Sequence, residues 1–568
     1  MSAAGALIAL GAAARRQWRR LDTAATWRRA RWLAPLLCGL VSLAFGQDDN
    51  WDLHNYHLYN PFALLNGKVG YDLAPAQWQS YFNPTLDLLY YGLVMHLPAP
   101  LTGFLMGALQ GINFLLVMAI AGRALPSAPA RPYALMAALA LAGCLGPGFL
   151  SELGNTMGDN LTALAVLGAL LVVLRHGTGL RGGAVAAALG AGLLMGCGAG
   201  LKLTNAVYAL ALCLALFTLD TGWRLRCRAA LLFGVGVLGG IALTAGHWYW
   251  RMWRLFGNPL FPQFNDHFRG PLAAPIGIGD TGWLPHGAVE KWLWPFIHTL
   301  WPLRVSELPL RHLLWPMLYL AFAALALTLA LRWLRARRAS APTPAPMAWP
   351  VRLLLAFTAL SYALWMHLFS IYRYLVPIEL LAPLVMWLLL RQLLPPAPAR
   401  VWGTACLALA ACSALSGGGW GHGRWTERAF TVQTPFLPHP EQNLVFIVHG
   451  DPPMGWLVPF FSERLAFVSL GAGFPESPAY VARARAMLAR RAGPFYVMVF
   501  AEAAPKRGWR DTAEGALAAE RARQRLARGA VTLANYGLAL DVASCRVYAS
   551  QSGRRRTAYQ LCVVNPRP

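Results

Sequence analysis

"RWLAPLLCGLVSLAFGQDDNWDLHNYHLYNP", residues 31–61, stays apolar for about the depth of a membrane and then breaks into three aspartates, two histidines and a fence of aromatic rings. Its first half, 31–46, is too apolar for a soluble helix and predicts a first crossing. The run is short, so Arg31 must snorkel or the bilayer must thin locally. Composition agrees: 57% of the 568 residues are hydrophobic and 13% charged, with a mean hydropathy of +0.43. Such values belong to polytopic membrane proteins and argue against an ordinary soluble fold.

Outward from this stretch, apolar runs long enough to cross a membrane lie near 31–46, 101–122, 132–149, 159–175, 183–200, 203–219, 229–249, 311–333, 351–370, 374–391 and 401–418. That makes about eleven transmembrane helices. The net charge of +25 would suit nucleic acid, but the arginines fall in short clusters between apolar runs, so the charge is read as topology. The opening "MSAAGALIALGAAA" has its arginines after it (Arg15, Arg16, Arg19, Arg20) and so does not read as a cleavable signal; segment 1–30 is expected to be cytoplasmic.

With that start inside, loops 123–131, 176–182, 220–228, 334–350 and 392–400 also fall inside, and each is basic. The Pro-rich stretches "SAPTPAPMAWP" (340–350) and "PPAPA" (395–399) read as linkers there. The same alternation places outer loops 47–100, 150–158 and 250–310, and everything after 419, on the outer side. In a bacterium-like inner (plasma) membrane this is the periplasm. The transmembrane domain is thus 31–419.

The tail, 430–568, changes character. Strand-like "NLVFIVHG" (443–450) and "PFYVMVF" (494–500) flank helix-like "PAYVARARAMLARRAG"; a second helical stretch near 512–528 and a closing hairpin follow. A small periplasmic α/β domain of about 130 residues is expected. Cys545 and Cys562 flank the hairpin and suit a disulfide in an oxidising compartment, whereas the other cysteines are scattered without metal-ligand spacing.

Ionisable groups near membrane depth are costly and mark sites by default. Asp48, Asp49 and Asp52 follow the first span, Asp159 opens the fourth, Lys202 the sixth and Arg373 the tenth; the alternation puts all six at one outer face. Independent helix anchors would scatter over both faces, so a shared cavity is favoured, although Asp48 and Asp49 would also serve simply as exit markers. Asp48 and Asp52 share a face if that segment is helical. Asn60-Pro61 reads as an N-cap with a first-turn proline and Gly67 as a stop, predicting a short surface helix at 61–66. The aromatic stretches 77–97 and 247–268 read mostly as interfacial packing. His54 and His57 beside Asp52 form a weak metal pattern without a third histidine; a divalent metal is not favoured, and hydrogen bonding to a sugar hydroxyl or to backbone is preferred.

These features together resemble the GT-C superfamily of membrane glycosyltransferases, which use polyprenyl-phosphate sugars, and within it the protein mannosyltransferase and aminoarabinose transferase branches. The likeness rests on "D-x-x-x-Y" (Asp52 to Tyr56), "YFNPTLD" with Asn83, "NTMGDN" with Asp159, "GLKLTN" with Lys202 and "YRYLVPIEL" with Arg373, over roughly residues 30 to 390. It departs at Leu53, where those branches carry a glutamate, so that Asp48 or Asp49 is left to supply a second carboxylate.

The resemblance implies outer-face juxtamembrane helices and an inverting glycosyltransferase. A sugar on a lipid phosphate already has a good leaving group, so one carboxylate suffices to take the acceptor proton. Asp52 is expected as that base, with Asp48, Asp49 or Asp159 as partner or alternative. Arg373 and Lys202 are expected on the donor phosphate, and His54, Tyr56, His57 and Asn83 near the sugar or acceptor. The resemblance fixes no cofactor, and a divalent metal stays open though not favoured. The partners are a polyprenyl-phosphate-linked sugar and a lipid, glycan or protein acceptor. The alternative is a transporter or flippase for a lipid-linked envelope precursor, but polar residues lining a path through the bilayer are missing from the spans.

Overall fold

In the computed structural model, which describes residues 20–126, 131–177, 184–338, 346–413, 418–503 and 512–567, each apolar run contains a helix. The chain opens with α1 (Ala24–Phe45); α2 (Tyr59–Leu65) and α3 (Asp87–His96) lie in the segment that follows it. Next come α4 (Ala99–Gln110), α5 (Ile112–Ala124), α6 (Tyr133–Cys144), α7 (Pro147–Ser151), α8 (Asp159–His176), α9 (Ala184–Leu201), α10 (Ala206–Ala215) and α11 (Trp223–Phe256). The bundle ends with α12 (Gly287–Leu300), α13 (Leu314–Arg338), α14 (Trp349–Leu368), α15 (Val376–Leu393) and α16 (Pro396–Ser413). Among the described residues, 6 helices are long and apolar enough to cross a membrane; Tyr133–Cys144, Ala186–Leu201 and Leu203–Thr218 are shorter apolar helices. The protein is a polytopic α-helical membrane protein with a C-terminal β-rich domain.

Several boundaries differ from expectation. α1 starts at Ala24 and has 22 residues, about 33 Å at 1.5 Å per residue, so the first crossing needs no thinning. Arginine is a good helix former, and Arg28, Arg29 and Arg31 simply continue the helix. "PPAPA" is not a linker, because Pro396 opens α16; proline is compatible with a first helical turn. Asp48 is in an extended pair, not on a helix with Asp52: β1 (Gln47–Asp48) pairs antiparallel with β2 (His422–Gly423). The surface helix begins at Tyr59, so Asn60 lies inside it and donates instead to the Gln79 carbonyl at 2.9 Å. Residues 1–19, 340–345 and Arg181 lie outside the described residues.

The axis of the bundle is the helix that follows Arg373. The span Tyr372–Leu393 is 83% buried, against 22% for Leu314–Arg337 at the lipid-facing edge. Beside it, α9 and α11 approach through glycines. A Cβ on Gly196 would stand 2.1 Å from the Val237 carbonyl oxygen, and one on Gly240 2.3 Å from that of Leu193. Small residues spaced by four on both helices permit this backbone contact. α11 has 34 residues, about 51 Å, well beyond the roughly 30 Å of hydrocarbon. Its C-terminal turns carry Trp248, Met252 and Phe256 into a core shared with the tail.

That tail is a seven-stranded mixed sheet. Its strands are β3 (Phe430–Val432), β4 (Leu444–Ile447), β5 (Ala466–Ser469), β6 (Phe495–Ala501), β7 (Leu538–Leu540), β8 (Arg546–Ser552) and β9 (Arg555–Pro566), ordered β3-β8-β9-β6-β4-β5 with β7 on β9. β4 pairs in parallel with β5 and β6; β5 was not anticipated from the sequence. Both faces of the sheet are covered. Leu444 and Phe446 pack against α17 (Pro478–Ala489), α18 (Ala513–Ala534) and the end of α11, while Val445 and Ile447 face the core built on α2 and α3. Leu73, between α2 and α3, adds to the β5 edge, its N–H donating to the Phe467 carbonyl at 2.9 Å. Nearby, Lys68 is buried with Asp72 at 3.1 Å. Cys545 and Cys562 are joined in a disulfide with Cα atoms 4.0 Å apart.

Candidate active site

The loop after α1 is folded by its own polar side chains. Asn50 accepts from the Leu53 N–H at 2.7 Å just before a π-helical turn, Leu53–His57, which has Asp52 at its N-cap and carries Tyr56. Turns of this kind often sit at functional sites. Asp48 pins this loop to the one before α8: its carboxylate accepts from Asn50 Nδ2 at 2.6 Å and from both the Thr156 N–H and Oγ1 at 2.8 Å. Burial pushes the Asp48 carboxyl up despite these donors.

Two ion pairs meet across these loops. Arg373 Nη1 lies 3.1 Å from Asp52 Oδ2, and Lys202 Nζ lies 2.5 Å from Asp159 Oδ2. Both cations touch Met157, Lys202 through its carbonyl at 2.7 Å and Arg373 at its sulfur. They also share the Tyr374 ring, at 5.2 Å from Lys202 and 5.4 Å from Arg373. Trp420, from the chain leaving α16, covers Arg373 at 5.6 Å. Tyr56 lies in the field of Asp52 and Arg373; burial, then the Asp52 charge, hold its phenol well above the ordinary value.

Arg373 is positioned by a buried network. The Tyr372 hydroxyl donates to Glu379 Oε2 at 2.8 Å and accepts from Trp315 Nε1 at 3.1 Å. Glu379 also accepts the N–H groups of Gly148 at 3.2 Å and Phe149 at 3.0 Å, so one carboxylate ties the Arg373 turn to the loop that leads to Asp159. A side chain at position 146 would collide with it, a Cβ on Gly146 standing 2.2 Å from Glu379 Oε1.

The other expected residues face elsewhere. Asp49 accepts from Ser552 Oγ at 2.7 Å, pairs with His54 at 2.8 Å and with Arg555 at 3.5 Å. Burial alone would raise its carboxyl, but His54, Ser552 and Arg555 outweigh it and hold it below its ordinary value. Asp49 and His54 therefore fasten the β8–β9 hairpin of the tail. His57 bonds Asp87 at 2.7 Å; burial opposes its charge, yet Asp87 wins and raises it. Asn83 donates to the carbonyls of Gly200 and Thr244, both at 3.0 Å, and so ties the loop to the α9–α11 pair. Among the described residues, no group of three or more His, Cys, Asp or Glu is placed to hold a metal ion.

Sequence reasoning missed Glu152, Asp87 and Glu379. Each is a single carboxylate in an apolar setting, the same signal that singled out Asp159, and Asp87 and Glu379 stand inside motifs already quoted above. A cavity of about 670 Å³ between α12, α13 and α14 was also unforeseen. Trp292, Phe322 and Met366 line it with Trp315, whose indole reaches Tyr372.

Fold and site define a class: a polytopic membrane protein with a C-terminal β-rich domain and two neighbouring carboxylate–cation pairs. No family model matches this chain, and no curated protein does. Among solved structures, the crystal structure of ArnT from Cupriavidus metallidurans bound to undecaprenyl phosphate is similar, with a TM-score of 0.43 and 15% identity over 95% of this chain and 98% of that one.

Proposed function

We propose that this protein is an inverting glycosyltransferase of the inner membrane, moving a hexosyl or pentosyl group from a polyprenyl-phosphate donor to an acceptor hydroxyl at the periplasmic face. The observation that carries this reading is the meeting of the Asp52–Arg373 and Asp159–Lys202 pairs around Met157 and Tyr374. Before the donor arrives, each cation is neutralised by a carboxylate. A phosphate that takes hydrogen bonds from Arg373 and Lys202 displaces those carboxylates, so donor binding itself frees Asp52 to act as a base. The acceptor hydroxyl loses its proton to Asp52 as its oxygen attacks the anomeric carbon, and the carbon–oxygen bond to phosphate breaks. The two cations receive the charge that develops on the lipid phosphate. The apolar cavity that runs up to Trp315 is of a size and lining that suit part of a lipid chain.

The acceptor is a lipid, glycan or protein hydroxyl. The tail, fastened at Asp49, is the element best placed to admit or refuse it. The test is to offer radiolabelled polyprenyl-phosphate sugars, with envelope lipids and glycans, to the purified protein in proteoliposomes. Transfer with release of polyprenyl phosphate is expected. Absence of transfer from every donor of this class would overturn the reading.

A further inference from the structure

Glu152 sits in the loop between α7 and α8 with its side chain fully buried. Among the described residues, no N–H or O–H group donates to either of its carboxyl oxygens. Its carboxyl instead lies against that of Asp159, which already holds Lys202 at 2.5 Å. Two carboxyl groups in contact and out of water close a hydrogen bond only if one carries a proton. The charged groups acting on Glu152 are Asp159 on α8, Lys202 after α9 and Arg373 before α15; Asp48 holds the same loop at Thr156, and Asp52 holds Arg373. Burial, then the Asp159 charge, keep Glu152 well above the ordinary carboxyl value.

We propose that Glu152 is a positioning residue acting through Asp159: as a neutral acid it donates to the Asp159 carboxylate, and that proton is what allows Lys202 and Arg373 to be given over to an anionic phosphate. When Glu152 ionises, a second buried carboxylate joins Asp159. The pair then holds the cations against the incoming phosphate, and donor affinity falls. This rests on the reading of Lys202 and Arg373 as the donor-phosphate site. The sign follows by linkage. Phosphate binding favours the protonated pair, so affinity is level while Glu152 keeps its proton and falls as the pH rises beyond that point, by about tenfold per pH unit.

The experiment measures binding of undecaprenyl methyl phosphate, a diester with one fixed negative charge, to the full chain in detergent from acid pH up to the alkaline limit at which the chain stays folded. Wild type is expected to lose affinity with that slope. Glu152→Gln, a permanently neutral side chain whose amide N–H still reaches Asp159, is expected to bind as wild type does at the acid end and to keep that affinity as the pH rises. A wild-type affinity that is flat with pH, or a Glu152→Gln protein that declines as wild type does, would overturn the inference. Calorimetry of wild type alone, in two buffers of different ionisation enthalpy, needs no variant. Uptake of close to one proton on binding in the alkaline limb supports the proposal, and no uptake overturns it. Absence of binding at every pH would overturn the phosphate site itself and the inference with it.

Discussion

Arg373 reaches Asp52 through one guanidinium nitrogen at 3.1 Å, while its Nε is buried without an acceptor among the described residues. A cation held on one side only is prepared to turn toward a second anion, and a planar guanidinium offers a phosphate two parallel donors. Arg373→Ala is therefore expected to weaken donor binding by about 2–3 kcal/mol, as for a charged hydrogen bond. Titration with polyprenyl phosphate checks this; an unchanged Kd would remove Arg373 from the phosphate. Asp52, Asp159, Lys202 and Arg373 were legible in the sequence because an ionised group in apolar sequence is costly and so conspicuous. The partner of Asp49 was not legible. Ser552 lies 503 residues further on, and no local pattern connects them. Glu152 carried the same signal as Asp159, a lone carboxylate in apolar sequence, and was overlooked because it stands in a loop and opens no span.

At the scale of elements, what places Lys202 is the contact of α9 with α11. Gly196→Leu would drive a side chain into the Val237 carbonyl, where there is no room for even a Cβ. Overpacking of this kind costs about 1–3 kcal/mol. Thermal unfolding in detergent is expected to show that loss, together with weaker donor binding, because Lys202 follows directly on the last residue of α9; a variant with wild-type stability would refute the packing argument. The positions of the helices were readable because an apolar run of crossing length has few other uses. Their ends were less so. Arg28, inside α1, and Pro396, at the start of α16, read as loop in a membrane protein, yet arginine is a good helix former and proline is compatible with a first helical turn. The pairing of Asp48 with His422 was hidden because strand register across such a separation leaves no period.

For the whole molecule, the tail is fastened to the helical part at several points: Leu73 on the β5 edge, the C-terminal turns of α11 in the sheet core, and Asp49 on the β8–β9 hairpin. The Asp49 contact makes one of these fastenings pH-dependent. Because its carboxyl is held below the ordinary value, its contribution is present above roughly pH 4 and is lost as the pH falls through the lowered folded value. Protection of the amides of residues 546–566, taken relative to the intrinsic exchange rate at the same pH, is expected to fall in acid, and to be equally low at neutral pH in Asp49→Asn. Exchange that is indifferent to both would detach Asp49 from the tail's docking. Composition and two strand-like runs announced the tail as a separate domain; its attachment was not readable, since every contact involved joins distant parts of the chain.

The central claim separates the group that activates the acceptor from the groups that hold the donor phosphate. Its most direct test is the single-turnover transfer rate of Asp52→Asn at saturating donor, with the donor Kd measured on the same protein. Removal of a positioned general base is expected to slow transfer by about 10²–10⁴-fold while the donor still binds. A transfer rate equal to that of wild type would contradict the account.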